Sequence, residues 1–365
     1  MDARRLRNAC VLLASLLALY LPGCATDEIS VGFVGNLSGS NSEIAVCGRR
    51  AVDLVLSKAP FKVRLHVADD SNRVIGGQNA VRRLVGLGCR VIIGPFMTTA
   101  GEGAVPEARK LHTPLISPTI GGLARLSRED CFLSLNVPAR EVGRQIGVWC
   151  REAGHRRIVA ALDRANATYG TAILQGVQAE VGDGVVAGSI EYSGKSRYDI
   201  REIAGNILRE SPDAVLMVGS GADLASLVQV FGKNGKAFPV YTPAWALTGD
   251  LPAGGGRFAA MVHGATIWNP ECSRAAWLRF IVQYKLLYGM APGFVEAQSA
   301  DAAGIALELC GKLLRARAGG VEERCMPEIA GYDGLQGLLS FDEKGALSRP
   351  FFRLRIKQGT YALAE

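Results

Sequence analysis

Short apolar runs alternate with amphipathic segments through most of this chain, and few architectures accept that pattern. Residues 29–36, 61–70, 89–94, 113–118 and 131–137 read as strands. Helix-period stretches over 46–57, 77–87 and 101–111 separate them. The pattern then restarts. Helices are expected over 139–153, 170–181, 200–210 and 222–233, and strands over 156–163, 185–192, 213–220, 238–243 and 260–268. Alternation of this kind argues for an α/β fold with parallel sheets covered by helices on both faces. The strands are near-continuous apolar runs, as sheets buried on two sides require. The chain turns mostly helical over 274–330 and ends in a strand-rich tail, with "DEKG" at 342–345 as its turn. That last part is too short for a third α/β unit, so it is expected to return and complete the first two. No Gly-, Ser- or Pro-rich linker divides the units, which fits several chain crossings between them.

At 365 residues the chain has room for two ordinary domains. A composition 48% hydrophobic and 21% charged provides a full core and excludes a disordered chain. The formal charge of +7 is spread over many elements with no Lys/Arg block interleaved with aromatics, so no nucleic-acid partner is expected.

The N-terminus is more specific. Arg4, Arg5 and Arg7 precede the apolar run 9–21, which is too short to span a bilayer and has the length of a signal h-region. It ends in "LPGC", 21–24, which resembles the lipobox of bacterial lipoproteins. Leu21, Gly23 and Cys24 match, while Pro22 is an unusual occupant. The resemblance implies a signal over 1–23, lipid on Cys24, and an exported protein on the periplasmic face of a membrane or the cell surface. An ordinary cleaved signal or a short anchor is the alternative. Beyond Cys10 and Cys24 there are seven cysteines, an odd number, so at least one is free. Their pairing is not readable from spacing. No CxxC occurs and the four histidines are scattered, so neither a metal site nor a cofactor is expected.

The candidate binding residues sit where strands run out. Gly94-Pro95 ends an apolar strand, and Thr98 and Thr99 then lie at or just before a helix start. The first N–H groups of a helix are unpaired and its dipole favours an anion. Two hydroxyls there suit a carboxylate. The alternative is that one threonine merely caps the helix. The next loop, 117–122, offers Thr119, Gly121 and bare backbone N–H groups beside it. "VGSGADLA", around Ser220, lacks the third glycine of a dinucleotide loop. There is no GxSxG elbow and no HExxH, so an enzyme is not expected.

The order of several stretches resembles one family. "SVGFVGNLSGSNSEIAVCGRRAVDLVL", "VRLHVADDSNRVIGGQNAVRRLV", "RVIIGPFMTTA", "HTPLISPTIGG", "RIVAALDRANATYGTAILQGVQ", "SADAAGIAL" and "GYDGLQGLLSFDEKG" are similar to type I periplasmic binding proteins of the Leu/Ile/Val-binding kind. These are receptors of branched-chain amino-acid ABC transporters. The resemblance implies two doubly wound parallel-sheet lobes joined by three hinge crossings, near 137–139, 264–266 and 334–337. Lobe 1 would comprise 28–137 plus 267–334, and lobe 2 138–266 plus 335–365. A monomer is implied, which closes over a small ligand and delivers it to an ABC permease, with the membrane reached only through the lipid anchor. Ser38 and Gly39 would approach the ligand beside Thr98, Thr99, Thr119 and Gly121 from lobe 1. Tyr169, Ser220 and Trp245 would do so from lobe 2.

Three departures stand out. Ala244 and Trp245 occupy the region where the family places an acid for the ligand ammonium, Gly121 stands near a usual hydroxyl, and Cys47 replaces a bulky aromatic. The carboxylate end of the site is therefore expected intact and the ammonium end depleted. Glu102 or Asp223 could substitute, though solvated helix faces suit both. Trp245 could pack an apolar ligand body or belong to the core. The competing function is a ligand-independent lipoprotein regulator of cell-wall synthesis on the same fold.

Overall fold

The computed structural model describes residues 28–39, 41–123, 130–193, 197–319 and 331–364. The lipobox-like segment with Cys24 lies outside the described residues.

Five parallel strands form the first sheet: β1 (Glu28–Gly35), β2 (Lys62–Asp69), β3 (Val91–Ile93), β4 (Leu115–Ser117) and β5 (Phe132–Ser134), in the order β2-β1-β3-β4-β5. Helices α1 (Ser42–Leu56), α2 (Val74–Gly86) and α3 (Thr98–Lys110) connect the first four strands. Helix α1 shows how the local code works. Its Ile44, Ala45, Gly48, Ala51 and Val52 are buried on one face at helical spacing.

The second sheet repeats the plan. Strands β6 (Ile158–Asp163), β7 (Val186–Tyr192), β8 (Ala214–Val218), β9 (Val240–Pro243) and β10 (Val262–Thr266) run parallel in the order β7-β6-β8-β9-β10. Their helices are α4 (Ala139–Glu152), α5 (Ala167–Val181), α6 (Arg197–Arg209), α7 (Gly221–Lys233) and the short α8 (Asp250–Gly255). The chain then goes back to the first sheet with α9 (Ala275–Tyr288) and α10 (Phe294–Gly319), and α10 packs on α1 and β3. A small antiparallel sheet of β11 (Gly331–Gly334), β12 (Gly337–Phe341) and β13 (Leu347–Ser348) follows. Finally β14 (Phe352–Lys357) and β15 (Thr360–Leu363) add antiparallel strands to the second sheet beside β10. The pair Gly334–Gly337 is thus a tight hairpin between β11 and β12, and the chain joins the second sheet after β13.

Strand order reverses between β1 and β3 in one sheet and between β6 and β8 in the other. Crevices open at such switch points, outside the carboxyl ends of the strands. Gly94 ends β3 at φ 105, and a Cβ there would meet the Val34 carbonyl oxygen at 1.9 Å, so only glycine lets the strand leave the sheet at this point. Cys131 is disulfide-bonded, while Cys47, Cys89, Cys150, Cys272 and Cys310 are free thiols. Among the described residues no helix is long and apolar enough to cross a membrane.

Candidate functional site

Loops after β1 and β3 face loops after β6 and β8. Helix α3 begins at Thr98, three residues earlier than its periodicity suggests, with Met97 as cap and no side-chain cap bond. Thr98 and Thr99 are therefore first-turn residues, not caps. Gly101 N–H donates to the Met97 carbonyl at 3.1 Å, which leaves the earlier N–H groups at the helix mouth. Thr98 is 1% exposed and its hydroxyl has no partner among the described residues. Thr99 instead donates to the Ala165 carbonyl of the other lobe at 3.0 Å.

The neighbouring loop is held by its own bonds. Thr119 Oγ1 donates to Phe96 O at 2.6 Å, and Ser117 Oγ donates to Pro95 O at 2.7 Å. Gly121 packs so closely on the passage between the sheets that a Cβ would lie 2.7 Å from the Val137 carbonyl. In the first loop Ser38 is exposed and donates to Asp69 Oδ2 at 2.5 Å, with Gly39 beside it at φ 79. Partial burial raises the Asp69 pKa, but bonds from Ser38 and from the N–H groups of Ser71 and Leu37 outweigh it, so the carboxyl sits below its ordinary value.

From the second lobe, Tyr169 and Trp245 are each 5% exposed and meet edge to face, ring centroids 6.4 Å apart. Ser220 caps α7, accepting from Asp223 N at 3.1 Å. Burial pushes Asp223 up to about 6, so it is not a freely solvated surface acid. The lobes touch directly. Asn72 Nδ2 donates to Ala165 O at 2.9 Å, and Thr168 Oγ1 donates to Glu102 Oε1 at 2.5 Å. Glu102 is engaged in that contact.

Two adjoining cavities lie between the lobes. A small one of about 200 Å³ is lined by Ser42, Glu43, Ser220, Trp245, Thr248 and Asp250 among others. A larger one of about 780 Å³ shares Glu43, Thr248 and Asp250 and continues along Cys47, Trp268 and Phe294. Of the residues expected from sequence, Ser220 and Trp245 line the small cavity. Ser38, Gly39, Thr98, Thr99, Thr119, Gly121 and Tyr169 line neither of these two cavities.

Sequence reasoning missed Glu43, Asp250 and Glu296, which make the larger cavity acid-lined. Burial, and then the neighbouring Asp250 carboxyl, push Glu43 up to about 7. Glu296 is fixed by the Gly293 N–H at 2.8 Å and the Tyr284 hydroxyl at 3.3 Å. The one available signal was that Asp250 opens a helix just after the "VYTPAWA" loop. Among the described residues no group of three His, Cys, Asp or Glu side chains could hold a metal ion.

The chain matches the model of the family described as "Periplasmic binding protein" over residues 28–360. No curated protein matches it. Among solved structures it resembles a leucine-binding protein from Thermotoga maritima, at 17% identity and TM-score 0.79, over 92% of this chain and 98% of that one. It resembles equally an ABC-transporter solute-binding protein from R. palustris in complex with benzoate, at 17% identity and TM-score 0.79, over 92% and 95%. A branched-chain amino-acid transporter substrate-binding protein from Streptococcus pneumoniae, in complex with isoleucine, follows at 16% identity and TM-score 0.78, over 92% and 99%. Similarity at these identities is similarity of fold.

Proposed function

Since the chain belongs to the periplasmic binding protein family, we propose that it is an exported solute-binding lipoprotein that captures a small carboxylate or amino-acid-like ligand between its lobes and passes it to an ABC permease. The family consists of solute-binding proteins, not enzymes. One observation carries the ligand reading: Thr98 has a buried hydroxyl with no partner among the described residues, in the first turn of a helix whose leading N–H groups are free of intrahelical bonds. A buried donor without a partner costs free energy, and a ligand carboxylate would satisfy it together with the helix N-terminus. The solved relatives with benzoate and isoleucine support this ligand size and charge.

Thermal unfolding against amino acids, keto acids and aromatic or aliphatic carboxylates tests the reading. A ligand at about 100 times its Kd adds about 2.7 kcal/mol, a shift of a few degrees for a chain of this size. The expected result is a shift with a carboxylate and none with its amide, and about tenfold weaker binding in Thr98→Val. Equal shifts with acid and amide would remove the cradle. No shift across the panel would move the function to a protein partner, as in a cell-wall regulator.

A further inference from the structure

We propose that helix α9 docks on an anionic lipid surface, with its exposed apolar row set into the interface and its cations on the headgroups, so that the first lobe rests on the membrane that holds the N-terminus. This rests on the lipoprotein reading above, which supplies the membrane, and it concerns a face outside the cleft.

Helix α9 is apolar on two faces. One is spent on the core, where Trp277, Phe280 and Tyr284 are buried. The other stays in solvent. Leu278, Val282 and Leu286 follow one another at four-residue spacing and form a row along the helix, all exposed, with Leu286 at 80%. Leu287 and Met290 extend the exposed apolar surface at the end of the helix. Single exposed apolar side chains need no explanation, but a row on one helix marks an interaction surface. The helix has 14 residues, about 21 Å at about 1.5 Å per residue. That is too short to cross a bilayer and suits a helix that lies on one.

The charges choose the occupant. The helix sequence, AAWLRFIVQYKLLY, holds Arg279 and Lys285 and no acid. Both cations are exposed, and helical spacing puts them on opposite sides of the row. Two more come from the neighbouring α1 segment. Lys58 donates to Gln283 Oε1, and Arg50 lies over the Tyr288 ring with its Nη1 3.3 Å from Met290 Sδ. The nearby acid, Asp53, is engaged by Arg49 at 3.6 Å. An apolar row bordered by cations is what an anionic membrane interface attracts. A two-fold contact with a second copy would instead set the cations of both α9 helices against each other. The point where the chain enters the fold agrees. Glu28 pairs in register with Lys62 at the start of two parallel strands, and Lys58 stands four residues before Lys62. Cys24 precedes Glu28 by four residues, a reach of at most about 14 Å. Lipid on Cys24 therefore holds this end of the first sheet, and the cations beside α9, close to the headgroups.

Quenching of tryptophan fluorescence by brominated phosphatidylcholine, with the full chain on vesicles, tests the assignment. One probe is Leu286→Trp, on the row. The control is Ile75→Trp, exposed on α2, which packs with α3 and not with α9. Each is read as its difference from wild type, with circular dichroism to show that it folds. In vesicles that also contain phosphatidylglycerol, the Leu286→Trp signal should shift to the blue and be quenched, and the Ile75→Trp signal should not. Replacing phosphatidylglycerol by neutral lipid, or adding Arg279→Gln and Lys285→Gln, should lower the docking equilibrium by about fivefold per cation removed. A Leu286→Trp signal quenched no more than that of Ile75→Trp overturns the proposal. Quenching that survives both neutral lipid and the loss of the two cations overturns it as well. A blue shift without vesicles that grows with protein concentration also overturns it and gives the face to a second copy. Mass spectrometry of the exported chain judges the lipoprotein reading separately. A mass without lipid on Cys24 contradicts that reading, and quenching of the unlipidated chain added to the same vesicles then decides the α9 assignment.

Discussion

Under the proposed function Thr98 meets the ligand carboxylate, while Glu43 lines the acid-bearing cavity between the lobes. Thr98 is a buried donor with no partner among the described residues. Glu43 is an acid that burial and Asp250 keep partly protonated near neutrality, raised from 4.5 to about 7. The groups around Glu43 are Asp250 on α8, Glu296 on α10, Tyr361 on β15, and Cys47 and Arg50 on its own helix. A carboxyl raised in the folded state retains a proton there that the unfolded chain gives up. Its contribution to stability therefore declines as pH rises from about 4.5 to about 7. Glu43→Gln removes that decline. Its Tm relative to wild type should rise more at pH 8 than at pH 4.5, and the same difference at both pH values would show that the pair is not coupled as described. Neither Glu43 nor Asp250 was legible as a site residue in the sequence. An acid in a first helical turn is ordinary, and only the tertiary fold brings one from each lobe together.

The elements carrying the site were more legible than its residues. Strand ends and loops follow from the apolar alternation, and every strand-like run up to 268 forms a strand. Helix α3 was read short because its first turn is Thr-Thr-Ala-Gly, weak in helical pattern, and Pro106 interrupts its later turns. Gly121 illustrates an element-scale constraint that mimics a binding role. Its loop touches the backbone of the passage at Val137, so a side chain is excluded whatever the ligand. Gly121→Ala should cost about 1–3 kcal/mol of stability by overpacking, measured by denaturant unfolding. A stable alanine variant would mean that the loop and the passage are less tightly packed than described.

At the scale of the whole molecule, two sheets of the same strand order point their switch points at one cleft. The doubled α/β pattern made that plan readable. The return of α9 and α10 to the first sheet, and of β14 and β15 to the second, came from the shortness of the tail and from family resemblance. Among the described residues the contacts between the lobes include Asn72 and Thr99 on the Ala165 carbonyl, Thr168 on Glu102, and the rings of Trp268 and Tyr361. Under the proposed function a ligand that touches both lobes supplies the difference in free energy between open and closed forms. Small-angle scattering at pH 7.5, with and without the carboxylate that most raises the melting temperature, measures this. The radius of gyration should fall when the ligand binds, and should fall less in Thr98→Val at the same ligand concentration. A radius unchanged by saturating ligand would contradict a cleft that closes over its solute.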